Sequence, residues 1–76
     1  MELYLGGYLS WYVHQKPSRL HIHLDRPVSL MELAARLELP LGEIAIAAVN
    51  GVAVSLHDAQ ITNIDSVEFH PPIGGV

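Results

Sequence analysis

A single short amphipathic helix is the feature that most constrains the fold of this chain. Ser29 is a favoured N-cap residue, and Glu32 follows three positions later, which is the spacing of a capping box. Val28 and Leu33 occupy the two positions of a hydrophobic staple. One apolar stripe with helical spacing is formed by Leu30, Leu33, Ala34 and Leu37. Because proline disfavours helical geometry in the residue before it, Pro40 ends the helix.

Two strands are predicted before this helix. From Leu3 to Val13 the residues alternate in period two, which places the leucines and Trp11 on one face. The opposite face then carries a stripe of Tyr4, Tyr8 and Tyr12. The pair Gly6-Gly7 marks a bulge or an early end of the strand. A second strand alternates over Leu20, Ile22 and Leu24, and the short turn between the strands predicts an antiparallel hairpin.

A second hairpin is predicted after the helix. Ile44 to Val49 is apolar on both faces, as in a strand with neighbours on both sides. Asn50-Gly51 is the strongest short hairpin signal, because both central residues of a type I′ turn need positive φ. Val52 and Val54 begin the returning strand. Residues 55–62 are irregular, which predicts a loop with a short helical turn.

The last predicted strand runs from Val67 to Phe69, and Pro71-Pro72 ends it by removing backbone donors. The order β-β-α-β-β-β, with one main helix across a mixed sheet of four to five strands, is that of the α+β class and its β-grasp, or ubiquitin-like, fold. We therefore expect a β-grasp domain at residues 1–70 and a flexible C-terminal tail at residues 71–76.

Composition excludes several kinds of function. The net charge is −4, and only Lys16, Arg19, Arg26 and Arg36 are positive, so no basic face for nucleic acid is expected. An acidic domain suits a protein partner with a positive docking surface. The absence of cysteine removes thiol chemistry and disulfides and fits a reducing compartment. With no signal peptide and no membrane-spanning window in sight, we expect a cytoplasmic protein that binds no membrane.

Four motifs, in order along the chain, resemble the MoaD/ThiS family of ubiquitin-like sulfur carriers. They are Leu3-Tyr4-Leu5-Gly6 followed by Leu9, the capped helix from Ser29 to Leu37, Ala48-Val49-Asn50-Gly51, and Val67-Glu68-Phe69-His70-Pro71-Pro72-Ile73. The chain departs from the family pattern at Ile64, where a glycine is usual. It departs again at Val76, where the family has the second residue of its terminal Gly-Gly.

The resemblance implies a carrier and not an enzyme. In the family a partner adenylates the C-terminal carboxylate with ATP, and a sulfur donor converts it to a thiocarboxylate for molybdopterin, tungstopterin or thiamine synthesis. The implied partners are an E1-like adenylating enzyme and the large subunit of a synthase, or a thiazole synthase. No catalytic side chain and no bound cofactor are implied, and the carrier tail falls on Gly74, Gly75 and Val76. The residues expected to dock on partners are Tyr4, Tyr8, Tyr12, Pro71, Pro72 and Ile73.

Val76 leaves three interpretations open: a protease removes it to expose Gly75, the partner enzyme tolerates it, or carrier chemistry has been lost. Two other functions also stay open. A ubiquitin-like modifier would conjugate the same terminus to lysines, of which Lys16 is the only one here. A non-reacting β-grasp interaction domain would use its sheet alone.

The remaining polar residues give weak signals. His21-x-His23 places two imidazoles on one strand face, but a structural zinc site normally has four protein ligands, so no metal is expected. No carboxylate partner is evident for the other histidines, and a packing role is predicted for the one before Pro71. Glu38 and Glu43 are expected to be solvated surface residues.

Overall fold

The computed structural model describes residues 1–72, and the fold is α+β. Its strands are β1 (Glu2–Leu5), β2 (Arg19–His21), β3 (Val28–Ser29), β4 (Ile46–Val49), β5 (Val52–Val54), β6 (Gln60–Ile61) and β7 (Ser66–His70). One α-helix, α1 (Leu30–Arg36), and two 3-10 helices, Gly7–Tyr12 and Leu41–Glu43, complete the elements of this part of the chain. Five strands form the main sheet in the order β2-β1-β7-β4-β5, while β3 and β6 form a small antiparallel pair.

The main sheet is mixed because its first and last strands run side by side. β1 is parallel to β7, and the other neighbouring strands are antiparallel. Leu3 lies beside Val67 and Leu5 beside Phe69, so the alternation of side chains sends all four into the core. The alternate residues of the same strands, among them Tyr4 and Glu68, lie on the opposite side, which we call the open face.

The core lies between the sheet and α1. The helix contributes Leu30, Leu33 and Ala34, all fully or almost fully buried, as the apolar stripe predicts. The other buried apolar residues are Met1, Leu3, Leu5, Leu9, Leu24, Val28, Leu39, Ile44, Ala47, Ile61, Val67 and Phe69. Among residues 1–72, no helix has the length and apolar character needed to span a bilayer.

The N-terminus of α1 forms half of the predicted capping box. The Glu32 backbone N–H donates to Ser29 Oγ over 3.0 Å, which confirms Ser29 as the N-cap. The Glu32 carboxylate does not return to the cap. It accepts instead from Arg26 and Arg36, at 2.9 and 2.6 Å, and these hydrogen bonds hold the pKa of Glu32 below its ordinary value.

The first strand ends at Leu5, which confirms the early end indicated by Gly6-Gly7, whereas the alternation predicted beyond it to Val13 is wrong. Gly7 has a φ of +51°, which takes the chain out of the sheet, and residues 7–12 form a 3-10 helix. Positions i and i+3, not i and i+2, share a side of such a helix. Leu9 is therefore buried, but Trp11 is 67% exposed and does not lie on the core face.

Both predicted hairpins are confirmed, with changes in length. Asn50 and Gly51 have φ values of +52° and +84°, as a type I′ turn requires, and Val49 pairs with Val52 across it. β2 pairs antiparallel with β1 but ends at His21, before Ile22 and Leu24. The segment 55–62 contains the short strand β6, which the irregular sequence did not indicate.

Candidate functional site

The centre of the site is the C-terminal end of β7, the last strand before Pro71. Backbone groups from both neighbouring strands hold it there. The Gly6 N–H, which follows β1, donates to Phe69 O over 2.8 Å, and the Ala45 N–H, which precedes β4, donates to His70 O over 2.9 Å. Pro71, which the sequence assigns to the tail, is buried, and Pro72 is exposed. The chain therefore leaves the sheet from a position fixed on two sides.

Gly6 makes room for this end of β7. A Cβ atom on Gly6 would lie 2.5 Å from His70 Nδ1 and 3.3 Å from the Phe69 carbonyl oxygen. Real Cβ atoms do not approach other atoms to 2.5 Å, so a side chain here would displace the imidazole. The glycine of the Leu3-Tyr4-Leu5-Gly6 motif thus has a steric role at the exit of the chain.

His70 connects this exit to the open face. Its Nε2 lies 3.1 Å from Glu68 Oε1, and its ring is 5.7 Å from the ring of Tyr4 at an interplanar angle of 52°. The carboxylate partner of His70 was not predicted from the sequence, because residues i and i+2 of a strand lie side by side only once the strand has formed. The packing role predicted for His70 is consistent with these contacts, to which the pairing with Glu68 is added.

The open face has a shallow depression beside β1 and β7. Its volume is about 280 Å³, and its lining is Tyr4, Arg19, Ser66 and Glu68. The Arg19 guanidinium lies over the Tyr4 ring, 5.2 Å from its centroid. Farther along the same face, Ile46 pairs with His70 and is 54% exposed. This surface combines the apolar side chains of Tyr4 and Ile46 with the cation of Arg19 and the carboxylate of Glu68.

The three tyrosines do not form one stripe. Tyr4 is half-buried on the open face, whereas Tyr8 and Tyr12 lie on the first 3-10 helix. The Tyr8 hydroxyl donates to Glu43 Oε2, so Glu43 is half-buried and hydrogen-bonded and the expectation of a solvated residue is wrong. This hydrogen bond, with burial and the carboxylate charge, raises the pKa of Tyr8 to about 12.

The histidines form separate pairs with carboxylates. His21 Nδ1 lies 2.7 Å from Glu2 Oε1, and His23 Nε2 lies 3.1 Å from Asp25 Oδ1. The hydrogen bond from His21 holds the pKa of Glu2 below its ordinary value. Within residues 1–72, no three histidine or acidic side chains come close enough together to hold a metal ion.

The predicted carrier residues fall at the edge of what the structure describes. Ile73, Gly74, Gly75 and Val76 lie outside the described residues, so their assignment as tail stays a prediction. The described part of the site consists of hydrogen-bonded backbone, the exposed Pro72 and the open face of the sheet. It brings no nucleophile together with a base near the exit of the chain.

Neither the models of protein families nor the curated protein sequences match this chain.

Proposed function

We propose that this chain is a β-grasp sulfur carrier. Its C-terminal carboxylate would be adenylated and then thiocarboxylated by a partner enzyme, and the sulfur would pass to molybdopterin, tungstopterin or thiamine synthesis. The observation that carries the proposal is the position of β7. This strand lies at the centre of the sheet, parallel to β1, and leads directly into Pro71-Pro72 and the following Ile-Gly-Gly-Val.

The topology supports the β-grasp assignment. A first hairpin, a helix that covers the sheet and a last strand inserted beside the first are the parts of that fold, and all three are present in residues 1–72. The parallel contact between β1 and β7 is the most specific of them. Parallel neighbours require a crossover connection, and here α1 lies within it.

The arrangement suits a substrate that threads its backbone into another protein. Glycine lacks Cβ, so the walls of an enzyme channel can close on Gly74 and Gly75 from both sides. The two prolines favour an extended conformation without internal hydrogen bonds. Because Gly6 and Ala45 fix the end of β7, binding of the domain also sets the position from which the tail starts.

Adenylation needs no side chain of the carrier. A carboxylate oxygen attacks the α-phosphorus of ATP, pyrophosphate leaves, and a sulfur nucleophile then displaces AMP from the acyl carbon. What this chain must supply is an accessible carboxylate and a surface that the adenylating enzyme recognises. Tyr4 and the exposed Ile46 on the open face are the residues we propose for docking, with Pro72 at the exit.

Val76 makes the proposal testable in one experiment. The full chain, a chain ending at Gly75 and the same shortened chain with Gly75→Ala are each incubated with an adenylating enzyme of this class, ATP and a sulfide source. Intact mass spectrometry then measures the replacement of one carboxylate oxygen by sulfur. We expect the shift in the chain ending at Gly75 and a reduced shift in the alanine variant. The absence of a mass shift in both the full chain and the chain ending at Gly75 would contradict the proposal.

Further experiments separate the other two functions. A ubiquitin-like modifier would give adducts with protein lysines in a native lysate. Any adducts that link one copy of this protein to Lys16 of another would disappear in the Lys16→Arg variant. An interaction domain would retain its partner in the Gly75→Ala variant and lose it when Tyr4 is replaced by alanine. The intact mass of the protein from its own cell would show whether Val76 is present.

A further inference from the structure

The Asn50-Gly51 turn has a second feature beyond its hairpin geometry. Asn50 Nδ2 donates to Asp65 Oδ1 over 2.9 Å, and Asn50 Oδ1 accepts from the Ser66 N–H over 2.9 Å. The Asn50 N–H also donates to Ser66 O over 2.7 Å. The nitrogen and the oxygen of one carboxamide thus both form hydrogen bonds with the residues at the start of β7.

An asparagine followed by glycine is chemically reactive. Glycine has no side chain to shield its backbone nitrogen, which can attack the carboxamide carbon of the preceding residue. Asn50 and Gly51 are both exposed, so water reaches the turn. The only other asparagine, Asn63, precedes the β-branched Ile64, whose side chain hinders the same attack.

We propose that Asn50 is a site of spontaneous deamidation and isomerisation, and that its hydrogen bonds to Asp65 and Ser66 restrain the reaction in the folded protein. This inference is independent of the sulfur-carrier proposal.

The reaction balances without an oxidant, a reductant or an enzyme. The Gly51 nitrogen forms a bond to Asn50 Cγ and gives its proton to water, while the carboxamide nitrogen takes up a proton and leaves as ammonia. The product is a five-membered succinimide. Water then adds to one of its two carbonyl carbons, which opens the ring to aspartate or to isoaspartate.

The restraint acts on the reacting carbon. In this proposal the carboxamide must turn for Cγ to meet the Gly51 nitrogen, and turning it would strain the hydrogen bonds to Asp65 and Ser66. Asp65 is itself held, because its Oδ2 accepts from the Thr62 N–H over 2.7 Å. This backbone hydrogen bond, followed by the one from Asn50, keeps the pKa of Asp65 below its ordinary value. The acceptor that faces Asn50 is therefore charged at neutral pH.

Deamidation would replace the attraction between the Asn50 side chain and the Asp65 carboxylate by a repulsion. An aspartate at position 50 has no side-chain N–H to donate and would place a second carboxylate against Asp65. Isoaspartate would also add a backbone atom to a two-residue turn whose length sets the pairing of Val49 with Val52. Either product weakens the connection between the turn and the start of β7.

The test compares deamidation rates at Asn50 in three folded proteins, in mildly alkaline buffer at a temperature where circular dichroism shows all three to be folded. They are the wild type, Asp65→Ala, and Leu37→Ala, a destabilising control at the C-cap of α1 that takes no part in the hydrogen bonds of Asn50. Tandem mass spectrometry assigns the mass increase to Asn50 or to Asn63. The unfolded wild type in urea gives the unrestrained rate.

We expect deamidation in urea to occur faster at Asn50 than at Asn63. We also expect Asp65→Ala to accelerate the folded-state reaction by about two- to tenfold, the factor that corresponds to one hydrogen bond. Leu37→Ala should react at the wild-type rate. Equal deamidation rates for Asn50 and Asn63 in urea would show that Asn50 is not a preferred site of deamidation. Equal rates for Asp65→Ala and the wild type, or equal acceleration by Leu37→Ala, would overturn the local restraint.

Discussion

At the scale of single residues, Gly6 is a position where one added methyl group would meet the neighbouring strand β7. The added Cβ would clash with the His70 imidazole and crowd the Phe69 carbonyl, and the carbonyl is part of the sheet. The imidazole can turn away only by giving up its contacts with Tyr4 and Glu68. The glycine therefore couples the end of β1 to the end of β7.

We predict that Gly6→Ala lowers the free energy of unfolding by about 1–3 kcal/mol, the usual cost of overfilling a packed region. Gly42→Ala is the matched control, since a Cβ there meets no atom within 4 Å. It should change stability little, or raise it by about 0.4–1 kcal/mol through the unfolded chain. Urea unfolding measures both. Equal effects of the two substitutions would show that the contact with His70 does not matter.

Tyr8 gives a prediction about pH. Its pKa of about 12 in the folded protein exceeds the ordinary tyrosine value near 10. The folded state therefore keeps the phenol proton where the unfolded state has lost it. The stability from this group is present at neutral pH and is lost as pH rises from about 10 to about 12.

An absorbance titration of phenolate formation should show one of the three tyrosines titrating near pH 12. Glu43→Gln removes the charge of the acceptor and should lower this midpoint, whereas Glu38→Gln, a change at an exposed residue, should not. An unchanged midpoint in Glu43→Gln would mean that the carboxylate is not the cause.

At the scale of elements, the cap of α1 is the most direct test of local structure. Ser29→Ala removes the acceptor of the Glu32 N–H and should cost about 1 kcal/mol of stability. Ser18→Ala is a suitable control, because Ser18 contacts Leu5 through its backbone carbonyl and not its side chain. Thermal unfolding should give a lower midpoint for Ser29→Ala than for Ser18→Ala. Equal midpoints would show that the Ser29 side chain does not stabilise α1.

The sequence predicted the elements whose signals are local. Ser29 and the stripe behind it define α1, and Asn50-Gly51 defines the second hairpin, since each depends on neighbours within a few residues. The 3-10 helix at residues 7–12 was missed because its apolar residues also satisfy a period of two. Residues 7–12 form a 3-10 helix and not a strand because Gly7 has a positive φ, and a backbone angle cannot be deduced from composition. β3 and β6, at two residues each, are too short for any periodicity.

The candidate site was predicted only in part. The position of Pro71-Pro72 after the last strand followed from the sequence, and β7 ends there. The pairing of His70 with Glu68 and the bond from Tyr8 to Glu43 were missed. The second joins residues 35 positions apart, and such contacts depend on how the elements pack.

At the scale of the whole molecule, β7 is the strand on which the sheet depends. Phe69 is fully buried, and its strand pairs with both β1 and β4. We predict that Phe69→Ala costs about 3–5 kcal/mol, a large part of the roughly 5–15 kcal/mol that stabilises a typical domain. Val52→Ala, at a 63% exposed position on edge strand β5, should stay within about 0.5 kcal/mol of the wild type. Urea titration measures the free energy of unfolding of both variants. Comparable losses of stability would show that Phe69 is not a central core residue.

The parallel pairing of β1 with β7 also has a consequence for synthesis on the ribosome. β1 is synthesised before its central neighbour β7, and the other strands and α1 lie between the two in the chain. Contacts between such distant segments slow folding, because a long loop must close before they form. Until His70 has emerged, the edges of β1 and β4 that β7 will fill remain free to pair with other chains. Insertion of β7 between them therefore completes the main sheet and covers both edges in one step.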